Sequence, residues 1–299
     1  MPELPEVENL RLGLGRTIIG QKIRGVKVEK PKLISGKGTK RIASLPKRVE
    51  FIKGIRGEHF VGVERRAKNL IFKLSHGKII LAHLKMSGQF VYKDKNKRKT
   101  VMGGHPIEVS EYKLPNKHSH IIFELERGTL YYNDTRMFGY LLYYKNEGAL
   151  DAENYFASYG LEPLAKNFTS KYFWDSLKEK NGKIKSVLMD QKIVTGLGNI
   201  YVDESLFEAR IRPDRRASSL SKSEIEKLYK AIKRIMERAI KVGGSSVATY
   251  RLLDNTRGNY AREHKVYGKA GKMCITCGKP LQKIIIGGRT TIFCSRCQR

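Results

Sequence analysis

The chain has 299 residues, enough for one large domain or two ordinary ones, and 40% of them are hydrophobic, which excludes a disordered polymer. Its 59 Lys and Arg against 29 Asp and Glu give a formal net charge of +30 spread along the chain, so the expected partners are phosphate polyanions. It holds no apolar run of the ~18 residues a transmembrane helix needs, no cationic-then-apolar leader, and no strongly amphipathic basic helix flanked by aromatics. A soluble cytoplasmic protein with no membrane partner is expected.

The start, "MPELPEVE", reads as the entrance of a helix over residues 4–16. Pro5 suits the first helical position, Glu6 and Glu8 suit the positive helix end, and Val7, Leu10 and Leu14 share one face. From about 17 to 145 the chain runs in short β-rich stretches such as "HFVGVERRAKNLIFKL" and "HSHIIFELERGTLYYND", punctuated by glycine, which predicts a β-sandwich. Residues 93–118 interrupt the pattern and read as a long basic loop. After about 148 the spacing turns helical in "LKEKNGKIKSVLMDQ", "NIYVDESLFEARI" and "SKSEIEKLYKAIKRIMERAIKVGG", the last opened by Ser221 with Glu224 three residues on, the pattern of a capping box. The expected organisation is α+β and multidomain: a β-sandwich over 1–147, a linker over 148–165, a helical domain over 166–264 and a metal module over 265–299.

All four cysteines fall in the last 26 residues, as Cys274, Cys277, Cys294 and Cys297, spaced C-x2-C-x16-C-x2-C. Two close pairs present four thiolates tetrahedrally, so one structural zinc is expected, holding the fold rather than doing chemistry. Between the pairs, "KIIIGGRTTIF" reads as two strands joined by a Gly287-Gly288 turn, with Arg289 just beyond it. Residues 265–299 contain eight Lys or Arg and no Asp or Glu, so even a zinc-loaded module stays positive and suits a phosphate or a nucleic-acid groove.

The N-terminal "MPELPEVE" and the cysteine tail, together with "RRAKNLIF" (65–72), "HLKMSGQF" (83–90), "NDTRMFG" (133–139), "YGLEPL" (159–164), "MDQKIVTGLGNIYVDESLFEARIRP" (189–213), "VYGKAGKMC" (266–274) and "GGRTTIFCSRCQR" (287–299), resemble the formamidopyrimidine-DNA glycosylases, bifunctional base-excision repair enzymes, nearly end to end. The resemblance implies an N-terminal β-sandwich, a helix–two-turns–helix region and a C-terminal zinc-finger hairpin. It implies binding of damaged double-stranded DNA between the two halves, by a monomer. It casts Pro2, once the initiator Met is removed, as the nucleophile that forms a Schiff base at C1′ of the damaged nucleotide. A free α-amine has a pKa of about 7.7–8.0, well below that of lysine, and is therefore partly neutral near pH 7. Glu3 is cast as proton donor in base release, Lys68 as proton donor in β-elimination, and Arg289 as the residue of δ-elimination and phosphate contact. Glu6 belongs to the same helix start and is expected to help position protons or water.

The same resemblance assigns DNA contacts to His118, Arg136 and Lys180 and a phosphate contact to Asn199, in a turn that Gly196 and Gly198 permit at a helix entrance. In the first of these, the His-Ser-His sequence offers His120 as well. Met86, Arg136 and Phe138 match the triad that fills the gap left by a flipped nucleotide, a job that suits apolar wedges; by residue type alone, Met86 and Phe138 are equally sandwich core. Residues 245–263, "SSVATYRLLDNTRGNYARE", match the lesion-contacting loop but lack its Pro-Gly-aromatic form, which bears on substrate preference. The reading implied is removal of oxidised purines with cleavage of the abasic strand. Its rivals are an endonuclease VIII-type enzyme for oxidised pyrimidines and a non-catalytic zinc-dependent DNA-binding protein.

Overall fold

The computed structural model describes residues 1–38, 41–96, 100–104 (backbone only), 114–245 and 258–299. These fold into two compact units, Met1–Tyr155 with Gly243–Asn259, and Phe156–Val242 with Tyr260–Arg299.

The first unit opens with helix α1 (Leu4–Ile18), which buries Leu4, Val7, Leu10, Leu14 and Ile18 along one face. Strand β1 (Ile23–Val28) follows, then helix α2 (Leu45–Ile55), β2 (Phe60–Arg66), β3 (Asn69–Leu74), β4 (Ile79–His83), β5 (Gly88–Asp94), β6 (Thr100–Gly104), β7 (Ser119–Leu125), β8 (Gly128–Asp134), β9 (Tyr140–Tyr144) and the short helix α3 (Glu147–Ala152). The strands form two antiparallel sheets, ordered β1-β7-β8-β5-β6 and β2-β3-β4-β9. Every second residue of a strand faces the shared core: Leu70, Phe72 and Leu74 from one sheet, Ile121, Phe123 and Leu125 from the other. Aromatic contacts stitch the sheets together, with Phe72 against Phe90 at 5.3 Å and Phe60 against Phe123 at 6.4 Å between ring centres.

The β-sandwich is as expected, with two additions. Helix α2 lies inside the stretch read as β-rich. Ser44 caps it by accepting from the Lys47 N–H, a proline stands in its first turn, and Phe51 and Ile55 are buried four residues apart. Strand β6 lies inside the stretch read as a basic loop and pairs with β5 from Gln89↔Gly104 to Lys93↔Thr100. The remainder of that stretch between 105 and 113 is outside the described residues.

The second unit contains α4 (Ser170–Leu177), α5 (Ile184–Met189), α6 (Asn199–Glu208), α7 (Lys222–Lys241), the single turn α8 (Tyr260–Glu263) and the hairpin β10 (Gln282–Ile286) and β11 (Arg289–Phe293). The helical spacing around 177–191 resolves into the end of α4 and the separate α5, because Asn181-Gly182 between them favours a turn over a helix interior. In α7 the predicted box is present: the Ser221 hydroxyl accepts the Glu224 N–H at 3.2 Å, and the Glu224 carboxylate accepts the Ser221 N–H at 2.8 Å. Ile225, Leu228, Ile232, Ile235 and Met236 line its buried face. Helix α6 is buried from Tyr201 to Phe207, and Phe207 joins Val266, Leu281, Ile292, Cys274 and Cys294 in a small core under the hairpin.

Candidate functional site

In the first unit Pro2 is buried, directly ahead of α1, and Glu3 is the N-cap of that helix in a reciprocal capping box with Glu6. The Glu3 N–H donates to Glu6 Oε2 at 2.8 Å. The other oxygen of Glu6 accepts the Ser245 N–H at 2.7 Å, so one buried carboxylate ties the N-terminus to a segment 239 residues away. Gly244 permits that approach. Its φ is +78°, and a Cβ there would lie 2.8 Å from Glu6 Oε1. Ser245 bridges Asn259, which brings together the two ends of the stretch 246–257; that stretch, most of the expected lesion-contacting loop, is outside the described residues.

Lys68 is buried on the two-residue turn Ala67-Lys68 between β2 and β3, where Arg66 pairs with Asn69. Arg65 ties this turn to α1. Its Nε meets Glu8 at 2.8 Å while its Nη1 donates to the Ala67 carbonyl at 2.9 Å. Burial pushes the Glu8 carboxyl up, but hydrogen bonds from Arg11 and Arg65 outweigh it and hold the group ionised. The helix that carries Pro2 and Glu3 is thus fixed against the turn that carries Lys68. Burial, then the charges of Lys85 and Lys68, push His83 down to about 3, so this neighbouring ring is neutral.

Met86 stands on the turn between β4 and β5, and Arg136 and Phe138 stand on the turn after β8. The buried Asp134 carboxylate joins the two turns. It accepts from Ser87 Oγ, from the Arg136 N–H at 3.2 Å and from the Gly139 N–H at 2.7 Å. Arg41 braces the second turn by donating to the carbonyls of Met137 (2.8 Å) and Gly139 (2.7 Å). Met86 is 41% exposed, Phe138 is half-buried and Arg136 lies over the Phe138 ring at 4.6 Å, so Met86 and Phe138 are not sandwich core. Of the two histidines, His120 is buried with Nε2 on the Asp134 carbonyl at 2.9 Å, and burial lowers its pKa. His118 is the more accessible one.

In the second unit, Gly198 is the N-cap of α6 and Asn199 its first residue. The Asn199 side chain donates to the Thr290 carbonyl at 3.1 Å, which places it one residue from Arg289. Gly287 and Gly288 have φ of +55° and +69°, the two positive values of a type I′ hairpin turn, and Arg289 follows them, exposed. Lys180 is exposed after α4, on a loop whose carbonyl at that residue accepts the Ser218 N–H. Cys274, Cys277, Cys294 and Cys297 bring their sulfurs within 4.8 Å of one another, with 3.9 Å from Cys274 to Cys297 and 3.4 Å from Cys277 to Cys294. A tetrahedral ion with metal–sulfur bonds of about 2.3 Å sets its ligands about 3.8 Å apart, so this donor set fits a metal. The chain entering the module is fixed by the buried Glu204, whose carboxylate accepts the N–H groups of Lys265, Val266 and Tyr267 at 2.8, 3.0 and 2.8 Å.

Glu8, Arg65, Asp134, Arg41, Ser245 and Glu204 were not legible as supports of these positions. Each acts on a residue distant in sequence, and only the Pro-Glu start hinted at Glu6.

Residues 1–141 match the Formamidopyrimidine-DNA glycosylase N-terminal domain, and residues 159–251 match the Formamidopyrimidine-DNA glycosylase H2TH domain. The formamidopyrimidine-DNA glycosylase of Listeria monocytogenes serotype 4b is 41% identical, with 100% of each chain covered. That of Bacillus subtilis is 39% identical over 100% of this chain and 99% of its own. Among solved structures, the Lactococcus lactis Fpg in complex with abasic-site DNA aligns with a TM-score of 0.84 at 35% identity over 99% of both chains. MutM in complex with carbocyclic 8-oxo-G DNA aligns with a TM-score of 0.83 at 35% identity over 100% of both. A β-sandwich with a helix–two-turns–helix unit and a four-cysteine hairpin is the class of DNA-repair glycosylases to which these proteins point. The chain belongs to the formamidopyrimidine-DNA glycosylase family.

Proposed function

We propose that this chain excises oxidised purines, 8-oxoguanine and formamidopyrimidines, from double-stranded DNA and then cuts the abasic strand by β- and δ-elimination through a Schiff base on Pro2. The observation that carries this reading is the burial of Pro2 beside Glu3 at the mouth of α1, where the Glu6 carboxylate accepts the Glu3 and Ser245 N–H groups. After removal of Met1, Pro2 is a secondary amine that attacks C1′ as the base departs, and Glu3 supplies the proton that departure needs. Lys68 then serves β-elimination, and Arg289 serves δ-elimination and a phosphate. His118, Arg136, Lys180 and Asn199 hold the backbone, while Met86 and Phe138 fill the space of the extruded nucleotide. The relation to glycosylases solved on damaged DNA supports this assignment. The four cysteines would hold one structural zinc, and the enzyme would work as a cytoplasmic monomer.

Two measurements test it. A chain with one residue retained before Pro2 has an amide in place of the amine, so borohydride trapping on abasic DNA is expected to vanish while DNA binding persists. Trapping by the extended chain would remove Pro2 from the mechanism. Metal analysis of the pure protein should find about one zinc per chain, the load of a four-thiolate site; a metal-free, folded protein would remove the zinc.

A further inference from the structure

Among the described residues, the second unit holds one ion pair without solvent access, set against the edge of the hairpin. Lys185 of α5 and Asp203 of α6 meet at 2.7 Å with side chains 0% and 1% exposed. Removing two charges from water costs about as much as their attraction returns, so such a pair is a poor source of stability. Its other contacts show what it does. Lys185 Nζ donates to the Thr290 carbonyl at 3.2 Å, and Asp203 Oδ2 accepts the Ile292 N–H at 3.3 Å.

Thr290 and Ile292 alternate with Arg289 and Thr291 along β11. In a hairpin closed by a two-residue turn with Ile286 opposite Arg289, residues 289 and 291 bond back to β10. Thr290 and Ile292 therefore turn their peptide groups to the outer edge of the hairpin, an edge left unpaired by the sheet. Lys185 supplies the donor and Asp203 the acceptor that this edge requires, and Asn199 adds a second donor to the same Thr290 carbonyl at 3.1 Å. Ser186, next to Lys185, closes the tip, since a Cβ on Gly287 would lie 3.1 Å from its hydroxyl oxygen.

We propose that Lys185 and Asp203 are positioning residues that clamp the outer edge of the hairpin and thereby hold Arg289 in register with Asn199 at the head of α6. The catalytic part of this inference rests on the proposed function; the clamp itself does not. In the lyase reaction the pair acts on δ-elimination, through Arg289, and leaves Schiff-base formation at Pro2 unaffected.

The test uses two double variants of the full chain. Lys185→Met with Asp203→Leu removes charge and hydrogen bonds together while filling the space, an exchange that buried pairs tolerate in stability. Lys185→Gln with Asp203→Asn removes the charges but keeps a donor and an acceptor. On a preformed abasic duplex, the Met/Leu chain is expected to trap on borohydride as the wild type does. Its ratio of δ- to β-elimination product should fall about tenfold or more, the scale of a misplaced catalytic group. The Gln/Asn chain should recover most of that ratio. Hydrogen exchange at the Ile292 amide should accelerate in the Met/Leu chain and stay slow in the Gln/Asn chain, whatever the chemistry. An unchanged Ile292 amide, or an unchanged product ratio beside normal trapping, overturns the clamp. Trapping that falls in step with the ratio overturns it too, because the pair would then act on the whole fold. A wild type that neither traps nor nicks overturns the proposed function instead, and the exchange data still decide on the clamp.

Discussion

At the residue scale, the proposed chemistry turns on two buried carboxylates three residues apart. Glu6 is committed, since each of its oxygens takes a backbone N–H, from Glu3 and from Ser245. Glu3 is the one next to Pro2, and its proposed task is to move a proton as the glycosidic bond breaks, help typically worth about 10²–10⁴-fold. Glutamine at position 3 preserves shape and hydrogen bonding but transfers no proton. Glu3→Gln is therefore expected to lose excision of 8-oxoguanine by about that factor. An abasic site has already lost its base and offers an aldehyde to Pro2, so the same variant should keep most of its cleavage there. Paired gel assays on the two substrates check this; equal losses on both, with DNA affinity intact, would take base release away from Glu3. The placement of such residues was legible where the signal is local, a Pro-Glu helix entrance and cysteine pairs with two residues between them, while the catalytic roles came from the resemblance alone. Asp134, which gathers Ser87, Arg136 and Gly139, and Arg41, which reaches Gly139 from 98 residues away, were not. The contacts that join separate turns, Asp134 to Ser87 and Arg41 to Gly139, span 47 and 98 residues, and nothing local announces them.

At the scale of elements, periodicity carried the reading where a face is buried and failed where local signals compete. Helix α7 was legible because seven buried residues recur at helical spacing behind a complete capping box. Helix α2 was passed over because only Phe51 and Ile55 are buried, with Gly54 between them and basic residues around. Strand β6 was hidden in a run whose Lys and Arg read as loop, although the β5 backbone pairs with it. Elements are also held by charge at their junctions. Glu58, just before β2, takes Lys78 at 2.8 Å, His76 at 2.9 Å and the Ser75 hydroxyl, and so pins the turn between β3 and β4. Burial alone would raise its carboxyl, but the hydrogen bonds from Lys78, Ser75 and His76 prevail and bring it from the ordinary 4.5 down to about 2. A depressed carboxyl stabilises the fold above its unfolded pKa, and that contribution disappears as pH falls from about 4.5 to about 2, because the unfolded chain takes the proton first. Water screens part of this, because the His76 side chain is 81% exposed and that of Lys78 27%, so about 1–2 kcal/mol is expected. Glu58→Gln should therefore cost the β-sandwich roughly this amount at neutral pH, with the gap from wild type closing towards pH 2. Far-ultraviolet circular dichroism during denaturant unfolding at several pH values measures it; a gap independent of pH would mean that the Glu58 charge contributes nothing.

At the scale of the whole molecule, the net charge of +30 is open to a polyanion, and many of the acidic residues are already paired internally. Glu8 serves Arg11 and Arg65, Glu58 serves Lys78, Glu224 serves Arg215, and Glu263 serves Arg238. With 59 basic and 29 acidic residues, even complete pairing leaves an excess of 30 cations. Arg136, Lys180 and Arg289 belong to that exposed excess. Two physical situations give the same net charge. In one, the field is diffuse and merely raises the local concentration of DNA; in the other, particular side chains neutralise particular phosphates. Counterion release separates them, since each phosphate neutralised on duplex DNA contributes about −0.9 to the slope of log affinity against log salt. Binding to undamaged duplex should thus weaken steeply and linearly on this plot. Arg136→Gln, Lys180→Gln and Arg289→Gln should each flatten the slope by about one unit while lowering affinity for all sequences alike. A diffuse field would lose one charge in thirty to each substitution and show no resolvable change in slope. Fluorescence-anisotropy titrations across salt concentrations distinguish the outcomes, and three variants with the wild-type slope would show that these side chains do not sit on the phosphates.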